Sequence, residues 1–64
     1  MPYYIVLVRG KNNGMTNWYE FDDADELIDQ EELLRASYYL KHVVINGRLS
    51  ALDTWDKLFK KAKG

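Results

Sequence analysis

The sequence predicts an α+β fold: a small three-stranded antiparallel sheet, order 2-1-3, with two helices, in the chain order β-β-α-β-α. Three observations lead there. The first is the run Tyr3-Tyr4-Ile5-Val6-Leu7-Val8, six apolar or aromatic residues without a break. A strand with one wet face alternates apolar and polar, so an unalternating one belongs at the centre of a sheet with both faces covered or nearly so. The second is a pair of amphipathic stretches, each preceded by a helix-start signal, at Asp23 and Ser50. The third is the turn punctuation at Gly10-Lys11-Asn12-Asn13-Gly14 and at Asn46-Gly47.

The first strand spans residues 3–9, and Pro2 suits its start, where a missing backbone donor costs little. Gly10 to Gly14 tolerates positive φ at several positions and reads as a hairpin loop. The second strand spans residues 15–21, with Trp18, Tyr19 and Phe21 as strand formers. Asp23 is a good N-cap for the first helix, and Glu26 completes a capping-box-like pair. Ala24, Leu27, Ile28, Leu34 and Tyr38 form its apolar stripe. Glu31 interrupts that stripe, so a short helix or a break near Asp29-Gln30 is expected. Tyr38-Tyr39-Leu40 is assigned to the end of this helix. The third strand spans residues 41–46. Asn46-Gly47 is either a two-residue hairpin onto Arg48-Leu49 or the turn before the last helix. Ser50 is the expected cap of that helix, which gathers Ala51, Leu52, Trp55, Leu58, Phe59 and Ala62 on one face. A helical crossover returns the third strand parallel to the second. Pairing it with the first strand places the most apolar strand in the middle.

Sixty-four residues make one small domain, 1–64, of a size that is marginal alone. With no cysteine there is neither disulfide nor thiolate metal site, and one histidine does not make a multi-histidine zinc site. The stability expected of it comes from a dense core or from self-association, which 47% hydrophobic and 14% aromatic residues allow. A net charge of -1 favours neither nucleic acid nor membrane, and no apolar run is long enough to span a bilayer. The N-terminus has no signal-peptide pattern, so a cytoplasmic protein is expected.

No motif for catalysis or for a cofactor stands out. Asp23 and Asp25 alternate as in a calcium loop, but the required glycine and bidentate glutamate are not at their offsets. His42 flanks Val43-Val44-Ile45 and reads as an ordinary strand residue rather than a triad member. Residues 20–32 hold eight of the ten acids and no base, which reads as a solvated helix face, or alternatively as a surface for a basic partner.

A loop centred on Asn12 pairs Ile5 with Tyr19, Tyr3 with Phe21, Val6 with Trp18 and Tyr4 with Glu20. One sheet face then holds Tyr3, Ile5, Leu7, Tyr19 and Phe21, the better core. The other holds Tyr4, Val6, Val8, Thr16, Trp18 and Glu20, with Val44 from the third strand. If both helices cover the first face, the second is an apolar patch of the kind that marks an interface. The expected function is therefore a non-enzymatic protein-protein interaction module. It binds an unknown protein partner, or a second copy as a homodimer, through Tyr4, Val6, Val8, Trp18 and Val44. The alternative is single-stranded nucleic-acid binding, with bases stacked on Tyr4 and Trp18. Arg9, Lys11 and the basic last helix would then hold the phosphates.

Overall fold

The computed structural model describes residues 2–64 and is a mixed α+β structure built on an antiparallel sheet. Among the described residues the elements run β1 (Tyr4–Gly10), β2 (Thr16–Phe21), α1 (Ala24–Asp29), α2 (Glu31–Ser37), β3 (Tyr38–Ile45), β4 (Arg48–Ser50) and α3 (Trp55–Ala62). The sheet order is β2-β1-β3-β4. The expected order 2-1-3 is present within it. The sheet has four strands rather than three, and the helices number three rather than two.

The β1–β2 hairpin sets every later placement. Gly10 donates its backbone N–H to Met15 at 2.8 Å, and Gly14 donates back to Gly10 at 3.0 Å. Four residues, 11–14, are thereby enclosed. The Asn13 side chain accepts from the Met15 N–H at 2.9 Å and lies over Gly10, where a Cβ would collide with it. Gly14, at φ 68, makes the left-handed step back into β2. The resulting register is Tyr4↔Phe21, Ile5↔Glu20, Val6↔Tyr19 and Leu7↔Trp18. This is one residue away from the expected pairing, and a one-residue slip exchanges the faces of a strand. Tyr4, Val6 and Val8 therefore join Phe21 in the interior, while Ile5 and Leu7 turn outward.

Asp23 caps α1 as expected. Its Oδ1 accepts from the Glu26 N–H at 2.9 Å, and Glu26 Oε2 accepts from the Asp22 N–H at 2.6 Å. The helix breaks at Gln30, whose φ of -98 and ψ of 6 leave the helical range. One expected helix thus becomes α1 and α2. Leu27 and Leu34, seven residues apart and so on the same helical face, both reach the core. Glu31, the residue that interrupts the stripe, takes its place in a surface ion network. It bonds Arg35 and Lys63, each at 2.8 Å, and Arg35 also reaches Asp56 at 2.8 Å. These contacts tie α2 to α3.

The assignment of Tyr38-Tyr39-Leu40 to helix is corrected. α2 ends at Ser37, Tyr38 is already extended at φ -137 and ψ 149, and β3 runs eight residues from there. Paired against β1, the two tyrosines and Leu40 gain a full ladder, which outweighs their capacity for helix. Between Leu7↔His42 and Val8↔Leu40 the ladder slips, leaving Lys41 as the extra residue of a β-bulge. The bulge restarts the alternation, so Tyr38, Leu40, Val43 and Ile45 face the helices while Tyr39, His42 and Val44 face away.

Asn46-Gly47 is the two-residue hairpin of the two alternatives, with positive φ at both positions, 51 and 78. It adds β4, which pairs Val44 with Leu49. The cap of the last helix is Thr54, not Ser50. Thr54 Oγ1 accepts from the Lys57 N–H at 3.2 Å, whereas Ser50 belongs to β4. β4 takes the residues that an earlier helix start needs.

All three helices lie on one face of the sheet. Tyr4, Val6, Val8, Phe21, Leu27, Leu34, Val43, Leu58 and Phe59 form a single buried cluster, with Leu52 and Trp55 packed against it. Trp55 Nε1 donates to the Tyr38 carbonyl at 2.9 Å and its ring lies 5.9 Å from that of Phe59. Each fully buried side chain of this size contributes about 1.5–3 kcal/mol. The cluster is the main source of stability in a chain without disulfides.

Candidate functional site

With the helices on one side, the other side of the sheet carries no element among the described residues. The strand register orders its side chains in three rows. One end holds Glu20, Ile5, Val44 and Leu49; the middle holds Trp18, Leu7 and His42; the far end holds Thr16, Arg9 and Tyr39. Tyr3 extends the first end. Trp18 is 66% exposed and Leu49 72%, with Tyr39 and Tyr3 also largely exposed. Ile5, Leu7 and Val44 are half-buried between them. Ile5, Leu7, Trp18, His42, Val44 and Leu49 line a shallow groove of about 300 Å³.

Local structure explains why these residues gather. The apolar run of β1 supplies side chains to both faces, so its outward set is as apolar as its inward set. Trp18 stands opposite Leu7 and Val44 opposite Ile5, placing large apolar side chains in directly opposed pairs. The Asn46-Gly47 turn brings Leu49 beside Val44 and widens the patch. Charged groups sit at its ends. Glu20 occupies one corner. Arg9 lies at the other end, and beside it Lys11 Nζ, 5.3 Å from the centre of the Tyr39 ring, donates to the Arg35 carbonyl of α2 at 2.7 Å.

Of the five residues singled out from the sequence, Trp18 and Val44 lie on this open face. Tyr4, Val6 and Val8 do not. They are 5%, 0% and 0% exposed and form the floor of the core. Their expected surface position is corrected, and the cause is the loop closure between Gly10 and Met15. Burial also pushes the Tyr4 hydroxyl pKa upward, with neighbouring Tyr3 adding to the effect. Sequence reasoning missed Ile5, Leu7 and Tyr3, which it assigned to the core, along with Leu49 and Tyr39. Gly14 is the signal that finds the first three. A left-handed residue belongs at the end of the loop, immediately before the returning strand, which makes Gly10 and Met15 partners.

A larger cleft, about 450 Å³, runs beside β2 and is lined by Tyr19, Phe21, Leu33 and Leu34, with Glu20, Glu26 and Asp29 among its polar groups. At its head the Tyr19 and Tyr38 hydroxyls bond at 2.6 Å, which raises the Tyr19 pKa. The acids of the segment from Asp22 onward lie here, on the helical side of the molecule. Several of its carboxylates serve the fold directly: Asp23 and Glu26 cap α1, and Glu31 holds Arg35 and Lys63. Lys63 first, and then Arg35, keep the Glu31 carboxyl below its ordinary range.

No group of three metal-ligating side chains occurs among the described residues, and no described helix is long and apolar enough to cross a membrane. Compared with protein-family models, curated proteins and solved structures, the chain matches none.

Proposed function

We propose that this chain is a non-enzymatic interaction module that binds protein through the open face of its sheet, in the cytoplasm. The observation that carries the reading is the contiguous set Ile5, Leu7, Trp18, Val44 and Leu49, apolar and partly or largely exposed on the face opposite the helices. Scattered exposed apolar residues are ordinary, but a contiguous group on a small domain is characteristic of an interface. Trp18 is suited to anchor it, because a large rigid ring buries much area for little lost freedom. The binding residues in this reading are Trp18 and Val44, joined by Ile5, Leu7 and Leu49.

A photo-crosslinking side chain placed at position 18 tests the reading, with the same group at Lys60 on the helical side as reference. Adducts formed at 18 and not at 60, and lost on adding Leu7→Lys, are the expected result. Equal or no crosslinking at position 18 sinks the proposal.

A second reading, single-stranded nucleic acid on the same face, has one observation in its favour: Arg9, Lys11 and Tyr39 meet at one end of the sheet. Stacking aromatics flanked by cations suit a single strand. Glu20 at the other end opposes a continuous phosphate track, which makes this the weaker of the two. Binding to a labelled oligonucleotide that falls with salt and with Trp18→Ala is its test.

A further inference from the structure

We infer that the occupant of the open sheet face is a second copy of this chain, packed face to face about a two-fold axis that runs across the strands. This rests on the reading of that face as a protein-binding surface and names the partner.

Charge placement selects both the partner and the axis. Glu20 stands at one end of the face and Arg9 at the other, separated by the middle row of Trp18, Leu7 and His42. Neither Glu20 nor Arg9 takes part in an ion pair among the described residues, whose bridges join Arg35, Lys57 and Lys63 to Glu31, Asp53 and Asp56. A two-fold axis across the strands lays each copy's Glu20 end on the other's Arg9 end. Each Glu20 then lies over Thr16 of the other copy, one strand from that copy's Arg9. Strands are spaced about 4.8 Å, so the two long side chains meet across the gap. Two pairs form, one at each end, as an isologous interface requires. An axis along the strands instead sets Glu20 over Leu49 of the other copy, and a carboxylate stranded on an apolar residue is costly. The middle row packs on itself around the axis, Leu7 and Trp18 against their own copies, so the apolar set is matched as well.

The area sets the class of interface. Seven residues of β1 at about 3.4 Å each, and four strands at about 4.8 Å spacing, bound a footprint of roughly 24 by 19 Å, which short β4 reduces. Two corrugated faces of that size bury on the order of 1,000 Å² together, the lower limit of a specific interface. An interface of that size belongs with weak, reversible associations.

Sedimentation equilibrium of the whole chain, from about 5 to 500 µM, reads the association, since that range brackets a micromolar equilibrium. Wild type is expected to pass from monomer to dimer. Glu20→Arg and Arg9→Glu, each folded by circular dichroism, are each expected to weaken the dimer at least about tenfold, because each places like charges at both ends. An equimolar mixture of the two variants is expected to recover wild-type affinity as a heterodimer, resolved by native mass spectrometry, since both ends are then opposite in sign. A wild type monomeric throughout, or a mixture no tighter than its components, overturns the proposal. A monomer that crosslinks through position 18 to a different protein overturns the second copy and leaves the protein-binding reading intact. A monomer that binds single-stranded DNA through Trp18 overturns both.

Discussion

Val6 and Leu7 are adjacent residues of one strand, both aliphatic and both flanked by aliphatics, yet they live in different surroundings. Val6 is 0% exposed, beneath three helices. Leu7 is half-buried on a face that no other described residues cover, between Trp18 and His42. Hydropathy does not separate them; hydrogen-bond register does. The sheet has two apolar faces, and the geometry of a four-residue loop decides which becomes the core. An apolar face that the monomer leaves open is then a surface to be explained by association rather than by folding.

The sharpest break in this comparison is the pair Val6→Lys and Leu7→Lys. Val6→Lys strands a charge in the core, at a cost that exceeds the ~5 kcal/mol available to a small domain, and the variant is expected to be unfolded by circular dichroism at 25 °C. Leu7→Lys is expected to melt within a few degrees of wild type while losing association through the sheet. If both unfold, or neither does, the two faces are not different in kind.

The next largest effect contrasts Phe59, 1% exposed, with Leu49, 72% exposed. Phe59→Ala removes core volume and is expected to cost about 3–5 kcal/mol in urea denaturation. Leu49→Ala is expected to stay within about 0.5 kcal/mol, the usual range for surface sites. A Leu49→Ala cost of 2 kcal/mol or more, against that ~0.5 kcal/mol expectation, would place β4 in the fold's own core.

Gly10→Ala probes the loop that separates the faces. A Cβ at position 10 collides with the Asn13 side chain, which must then leave the Met15 N–H. Losing one such bond costs about 1 kcal/mol. Protection of the Met15 amide against hydrogen exchange is expected to fall with it. An unchanged exchange rate would detach the register from the Asn13 contact.

The smallest effect belongs to the ion network, which lies wholly on the helical side. The folded Glu31 carboxyl has a lower pKa than in the unfolded chain, chiefly through Lys63 and then Arg35. Between those two pKa values the unfolded chain binds more protons, so stability rises with pH across that window. The contribution is complete above the ordinary carboxylate range and is lost as pH falls through the depressed value. Glu31→Gln is expected to flatten this part of the acid titration of the melting temperature. An acid titration of the melting temperature that Glu31→Gln leaves unchanged would remove this network from the fold's stability.

Much of the architecture was legible in the residues. The apolar run announced a central strand, Asp23 and Glu26 a helix start, and Glu31 the break that follows Asp29. Asn46-Gly47 announced a tight turn and left its use open between two alternatives. What did not read through has particular causes. Tyr38-Tyr39-Leu40 suits helix or strand, and only pairing with β1 decides it. β4 is three residues long, too short to show a period. Trp18 and Val44 lie on the open face. Tyr4, Val6 and Val8 do not lie beside them, and the residues alone do not show it, because a strand apolar on both sides carries no alternation to read. Its face is written instead in Gly10, Asn13 and Gly14, three residues that have no apolar side chain.

The bulge at Lys41 has a consequence for chain length. Ahead of it Tyr38-Tyr39-Leu40 alternates in-out-in, and after it His42-Val43-Val44-Ile45 alternates out-in-out-in, so removing residue 41 joins the two in phase. Position 41 is a spare place in β3, where deletion of one residue leaves every inward and outward assignment intact. Removing His42 instead leaves Lys41 as the only residue between Leu40 and Val43 and exchanges a histidine on the open face for a lysine, with the same phase. The strand thus tolerates shortening at its bulge in a way that β1, whose faces hang on an uninterrupted count from Gly10, does not.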